Sequence, residues 1–347
     1  MRRSWRVALL PAALTAACAG SPAPPAHPRL VERSGVAMGS DLTLTAAPAV
    51  DEASVRAAFD AVFREFDRLD ALLSVWRPGS DVLRINAAAG DRPVAAGSEV
   101  REVLQAARRI SEWTGGRFDV TFGPLTDLWK FDAQDRDTGI PDAASIASRL
   151  PLIDYRRVEI DDKAGTVFLA RTGMRVHLGG IGKGYAVERA ATILTRAGLR
   201  DFMIQAGGDL YVAGRNDGRP WRLGINDPRG PSGRIFATVD LIAGTFSTSG
   251  DYSRFFIKDG VRYHHLLDPA TGQPARGCRS VTIVADSAMQ ADGLSTGVFI
   301  LGPAEGMALI ERLPNVEGVI VTAANEVLVS SGLRDRLVVR SPPTDAP

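Results

Sequence analysis

His177-Leu178-Gly179-Gly180-Ile181-Gly182-Lys183-Gly184-Tyr185 separates β-rich segments from a helical one. Upstream, residues 157–160, 167–170 and 174–178 read as short strands; downstream, 185–197 reads as a helix stopped by Gly198. A strand–glycine-loop–helix junction turns backbone N–H groups toward whatever sits at the helix N-terminus, where phosphate is favoured. It is not a Walker A loop: no Ser or Thr follows Lys183, and the first glycine of that pattern would fall on His177. Nor is it a dinucleotide fingerprint, because Tyr185 stands where the third glycine belongs. A tight strand–helix turn and an anion loop both fit. Lys183 favours the second, because a first-turn lysine is mildly disfavoured by the helix dipole unless it has an anion to meet.

Outward from that loop, helices come early and strands come in blocks. Val55, Phe59, Val62, Phe63, Phe66, Leu69 and Leu73 are spaced three and four apart, an amphipathic helix over 51–73. A second helix is expected from Ser98, as N-cap, to Thr114, with Gly115-Gly116 ending it. Residues 202–205, 210–213, 221–225, 235–241, 262–267 and 281–284 read as strands broken by Gly, Asp and Pro. Helices at 288–301 and 303–313 and strands at 318–322, 326–330 and 336–340 close the chain. Without steady β–α–β alternation, the pattern predicts an α+β fold.

Composition narrows the function. The 347 residues are 45% hydrophobic and 23% charged, ordinary values for a globular protein. A net charge of +1, with five Trp and five Tyr that do not interleave with basic clusters, argues against nucleic acid. Arg2, Arg3 and Arg6 precede a short apolar stretch ending at Ala16-Ala17-Cys18-Ala19-Gly20, a targeting segment too short to span a bilayer. It reads as a signal peptide over 1–18 with lipidation at Cys18. A plain secretory signal cut after Ala17 or Ala19 and a twin-arginine signal are the other readings. All three export the chain. Residues 19–30 are a Pro-rich tether, and 31–340 form one folded domain. Cys278 is then the only cysteine of the mature chain, so the fold relies on its core and not on a disulfide.

Two further stretches carry chemistry. Asp292 and Thr296 lie four apart in a helical segment, which puts a carboxylate and a hydroxyl one turn apart on one face. Such oxygens suit a hard cation, although an isolated pair of this kind is more often solvated or capping. His264 and His265 are adjacent, so on a strand they face opposite sides and only one can enter a given site. Gly207-Gly208-Asp209 reads as a structural turn. Ser247-Thr248-Ser249-Gly250-Asp251-Tyr252 also reads as a turn, since no Gly-x-Ser-x-Gly elbow or Ser/His/Asp order accompanies its hydroxyls.

Taken together these pieces resemble the ApbE family, the FAD:protein FMN transferases. The resemblance runs from Met38-Gly39-Ser40 through Leu73–Trp76, Ser80–Asn86, Gly115–Asp119, Leu178–Val187, Ala206–Asp209, Asp227-Pro228, Thr248–Tyr252 and Tyr263–Gly272 to Ala291–Thr296. It implies a single domain of the family's own α+β type, with T-fold-like ββαα elements. It also implies a Mg²⁺-dependent enzyme that cleaves FAD at the pyrophosphate. The FMN half passes to a threonine of an acceptor flavoprotein subunit with a Ser/Thr-Gly-Ala-Thr motif, and AMP leaves. By carry-over, Asp292, Thr296 and the Gly180 carbonyl hold the metal. Met38, Trp76, Arg117, Phe118, Asp119, Lys183 and Leu266 line the FAD site. His265, the first residue of a His-x-x-Asp-Pro run, is the general base, and Asp292 is the other catalytic residue. Family members are typically periplasmic and often lipoproteins, which agrees with a chain expected to be periplasmic and lipid-anchored to a membrane. The chain departs from the pattern at His177, where the family usually has Asp, and more mildly at Glu188 for Asp and Ser40 for Thr. A Mg²⁺-dependent FAD pyrophosphatase and a non-catalytic flavin-binding lipoprotein are the alternatives that the sequence leaves open.

Overall fold

The computed structural model describes residues 30–47, 50–131 and 139–346. The expected signal segment, Cys18 and all but the last residue of the tether lie outside them. The chain starts with strands β1 (Val31–Ala37) and β2 (Ser40–Ala46), then helices α1 (Glu52–Leu73) and α2 (Asp81–Ala87), β3 (Val94–Ala95) and α3 (Ser98–Trp113). Next come α4 (Ala143–Arg149), β4 (Val158–Asp161), β5 (Thr166–Leu169) and α5 (Gly182–Arg196). Five strands follow: β6 (Phe202–Ala206), β7 (Asp209–Ala213), β8 (Trp221–Asn226), β9 (Ile235–Leu241) and β10 (Ala243–Gly250). A hairpin of β11 (Phe255–Lys258) and β12 (Val261–His264) leads to β13 (Cys278–Ala285), α6 (Ala288–Leu301) and α7 (Pro303–Arg312). The chain closes with β14 (Val316–Thr322), β15 (Val327–Val329) and β16 (Leu337–Val339).

An eight-stranded antiparallel sheet in the order β1-β2-β6-β7-β10-β13-β14-β15 is the backbone of the molecule. One face takes the helices. α1 presents Val55, Phe59, Val62, Phe66, Leu69 and Leu73 to the core, and Asp51 caps it by accepting from the Ser54 N–H at 2.9 Å. The other face takes the small sheet β16-β9-β8, through Trp221, Phe236 and Val239 against Val212, Phe246 and Val319. β13 is covered on both sides, and all eight of its residues are buried. The α+β expectation is borne out.

Some elements differ from expectation. Residues 174–178 do not join a sheet. Arg175 makes one bridge to Phe122, and the His177 N–H donates to the Val120 carbonyl at 2.7 Å, so a loop takes the place of a partner strand. Ser98 is the first residue of α3 and Gly97 is its cap, without a side-chain capping bond; the Asp81 carboxylate instead accepts the N–H of Gly97 itself at 2.7 Å and so fixes the entry to the helix. The strand expected over 262–267 stops at His264. β10 covers most of the hydroxyl-rich stretch read as a turn: Ser, Gly and Asp in it favour turns, but pairing with β7 and β13 satisfies the backbone and overrides them.

Candidate active site

α6 is buried on nearly every side, which is why Asp292 ends up in the interior. Ser287 caps the helix by accepting from Gln290 N–H at 3.1 Å, and Glu188 accepts from the Met289 N–H at 3.1 Å. Glu188, one of the departures, thus ties α5 to the start of α6. The Gly184 N–H, at the first turn of α5, donates to Asp292 Oδ2 at 2.8 Å. A Cβ at Gly184 would lie 2.3 Å from the Ala288 carbonyl oxygen and 2.7 Å from Asp292 Cβ, so only glycine lets the two helices meet this closely.

Lys183 reaches between two buried carboxylates, 3.1 Å from Asp209 Oδ2 and 3.9 Å from Asp292 Oδ1. Ser247 donates its hydroxyl proton to Asp209 Oδ1. Burial opposes the ammonium of Lys183, but Asp209 and Asp292 outweigh it and hold the lysine charged. Burial, reinforced by Asp209, pushes the Asp292 carboxyl up to about 7 against the opposing pull of Lys183.

The other residues expected around a metal stand nearby. An ideal Cβ on Gly180 would be 3.6 Å from Thr296 Oγ1 and 3.3 Å from the Phe118 ring, so the glycine loop, α6 and Phe118 close on one point. Ser249 Oγ lies 3.1 Å from Thr296 Oγ1 and 2.8 Å from Ser295 Oγ. Among the described residues no three His, Cys, Asp or Glu side chains cluster as a metal site. The Asp292 carboxylate and the hydroxyls of Thr296, Ser249 and Ser295 are oxygen donors that fit a hard cation such as Mg²⁺, not a soft one.

A cleft of about 1700 Å³ opens above this point. That exceeds the 300–1,000 Å³ usual for small-ligand pockets and suits a dinucleotide-sized molecule. All the expected binding residues line it: Met38, Trp76, Arg117, Phe118, Asp119, Lys183 and Leu266. Met38 sits at the β1–β2 turn with φ +48°, and Trp76 stands at the rim, 76% exposed. Phe118 is nearly buried and forms a wall beneath Gly180. Arg117 Nη1 donates to both oxygens of Asp268, at 2.7 and 2.8 Å. Asp119 accepts from Thr121 N–H, Thr121 Oγ1 and Tyr155 N–H at 2.8, 2.6 and 2.9 Å, so its side chain shapes the wall and its neighbours meet the cleft.

The two adjacent histidines separate as alternation demands. His264 is buried against Phe299, with Nε2 donating to the Ala275 carbonyl at 2.8 Å and Nδ1 accepting from Leu266 N–H at 3.3 Å. His265 turns into the cleft, its Nδ1 3.3 Å from the Arg254 carbonyl. Burial, then the Arg254 cation, pushes the His265 imidazole down to about 3, leaving it neutral. His177 also faces the cleft, against Phe122, with Nδ1 accepting from Gly179 N–H at 3.1 Å. Burial and then Arg254 push it down to about 4, so a neutral ring stands where the resemblance led us to expect a carboxylate. Asp209, Ser249 and Arg254 were not singled out as site residues in the sequence. Asp209 had one signal, a carboxylate following two glycines, but its lysine partner is 26 positions away and no spacing rule links them.

The ApbE family model matches residues 38–320. A FAD:protein FMN transferase from Klebsiella pneumoniae (strain 342) is 34% identical over 315 residues, covering 89% of each chain. One from Treponema pallidum (strain Nichols) is 32% identical over 96% of each. The crystal structure of the ApbE protein from Thermotoga maritima superposes with a TM-score of 0.81 at 32% identity, covering 89% of this chain and 99% of that one. The chain belongs to the ApbE family, as its motifs led us to expect.

Proposed function

We propose that this protein is a flavinyltransferase that moves the FMN moiety of FAD onto a threonine hydroxyl of an acceptor flavoprotein, with Mg²⁺, and releases AMP. The observation that carries this reading is the convergence of Asp292, Thr296, the Gly180 loop and Lys183 on one point at the base of a dinucleotide-sized cleft, with the neutral His265 on its wall. Asp292, Thr296 and the Gly180 carbonyl would hold the cation, which when bound neutralises charge on the pyrophosphate oxygens.

The side chains divide the remaining work. The threonine oxygen attacks the phosphorus of the FMN half, a new P–O bond forms, and the pyrophosphate P–O bond breaks. The bridging oxygen leaves with AMP. His265 Nε2 takes the hydroxyl proton, which requires the neutral ring that its surroundings enforce. A bound pyrophosphate next to that ring raises its proton affinity, so the base strengthens as the site fills. Lys183 meets the negative charge on the transferring group from a position held by Asp209. Trp76, Phe118 and Leu266 offer apolar walls to the flat flavin and adenine rings.

The N-terminal segment supports a periplasmic, lipid-anchored enzyme. No helix of the described residues is long and apolar enough to cross a membrane, so the anchor in this reading is Cys18. The deciding experiment mixes the protein lacking residues 1–20 with FAD, Mg²⁺ and an acceptor domain bearing Ser-Gly-Ala-Thr. A covalently fluorescent acceptor band, lost without metal, is the expected result. Free FMN and AMP with no band would replace the reading with a pyrophosphatase.

A further inference from the structure

The β11–β12 hairpin grows directly out of the catalytic wall. Arg254 precedes β11 and His265 follows β12, and the two are clamped together, with the His265 N–H donating to the Arg254 carbonyl at 3.2 Å. The hairpin stem therefore ends on the proposed base. The register pairs Phe256 with Tyr263 on one face, and Phe255 with His264 and Ile257 with Arg262 on the other. The first face is anchored: Phe256 stacks on Tyr263 and on Phe131, and Tyr263 on Trp129.

The second face is buried at its base, where His264 enters the core, and open beyond it. Phe255 is 36% exposed and Ile257 60%; Val261, at the tip of the opposite face, is exposed too. Arg262 lies over the Phe255 ring at 3.8 Å, and its Nε and Nη1 find no hydrogen-bond partner among the described residues. No third strand of the described residues pairs with either edge. The segment 254–265 carries Arg254, Lys258 and Arg262 against Asp259 alone. An apolar, net-positive hairpin with free edges is an incomplete surface for an isolated molecule.

We propose that this hairpin is the docking surface for the acceptor protein, and that it takes an extended segment presenting an apolar side chain and a carboxylate beside the threonine to be modified. The inference rests on the transferase reading. A flavin transferase acting on a protein must bring a chain segment to His265, and the hairpin borders that approach. An extended segment pairs with an open strand edge through its backbone, sets its apolar residue on Phe255 and Ile257, and offers its carboxylate to Arg262 on that face, with Lys258 at the tip of the opposite face adding to the positive field.

The test is steady-state flavin transfer to the Ser-Gly-Ala-Thr acceptor domain by wild type, Ile257→Asp and Lys258→Glu, with FAD binding followed separately by flavin fluorescence. Both positions are exposed and outside the cleft lining, so folding and FAD affinity stay at wild-type levels. Ile257→Asp raises KM for the acceptor about tenfold or more with kcat at saturation preserved, and Lys258→Glu raises it several-fold, as loss of one buried apolar contact or one complementary charge predicts. Wild-type transfer with both variants' KM within twofold of it overturns the docking surface and leaves the transferase standing. FAD turned over by wild type without labelling the acceptor overturns the transferase reading, and the docking surface with it.

Discussion

Asp292 carries the largest expectation of any residue. Its carboxylate is buried, receives the Gly184 N–H and faces Lys183, so Asp292→Asn keeps the volume and removes the charge. Flavin transfer falls on the order of 10³-fold, as when one preorganised charge-stabilising group is removed. Isothermal titration shows Mg²⁺ affinity falling with it, and a rate within tenfold of wild type would contradict the assignment. His264 makes a different prediction, about stability. Its neutral tautomer satisfies both ring nitrogens, and burial pushes its pKa down to about 4, below an unfolded value near 6.5. The unfolded chain therefore binds the proton first, and the stability from this residue is complete above pH 6.5 and lost as pH falls toward 4. Since Asp292, pushed up, works in the opposite direction, the informative quantity is the difference between wild type and His264→Gln in urea melts. That difference should shrink by about 2 kcal/mol between pH 7.5 and pH 5.

At the scale of elements, the contact between α5 and α6 sets the site. Gly184→Ala would force Cβ into the Ala288 carbonyl and Asp292 Cβ, and backbone offers little room to yield. Overpacking of this kind costs about 1–3 kcal/mol, and here the helices that separate are the ones carrying Lys183 and Asp292. The variant should therefore lower Tm and weaken Mg²⁺ binding together. An unchanged Mg²⁺ affinity would show that the close approach serves stability alone. The glycine loop was legible as an anion-binding junction because Lys183 and its glycines are contiguous. Its partner across the sheet was not: β10 contributes Ser247 and Ser249 from a stretch whose composition resembles a turn. Only pairing with β7 and β13 makes it a strand.

At the scale of the whole molecule, the cleft depends on the eight-stranded sheet, the helices on one face and the small sheet on the other. Parts of all three line it: α5 and α6, β7 and β10, and β8 and β9. A ligand filling such a cleft binds the folded state alone, so FAD with Mg²⁺ at about 100 times Kd should stabilise the protein by about 2.7 kcal/mol. Thermal unfolding monitored by circular dichroism checks this, and the shift should vanish for Asp292→Asn if the metal and FAD bind cooperatively.

The sequence by itself determined the elements whose signals are local and the family motifs that run through them. Three-and-four spacing marked α1, glycines marked the end of α3 and the Lys183 loop, and alternation placed His264 and His265 on opposite faces. Tertiary structure alone decided what meets what. Asp209 joins Lys183 across 26 residues, Ser249 joins Thr296 across 47, and Arg254 comes to the side of His265 because the hairpin folds back between them. Local order is fixed by backbone geometry and side-chain period, which a few neighbouring residues reveal. The electrostatics of the site arise from burying distant charges together, and burial is a property of the packed chain.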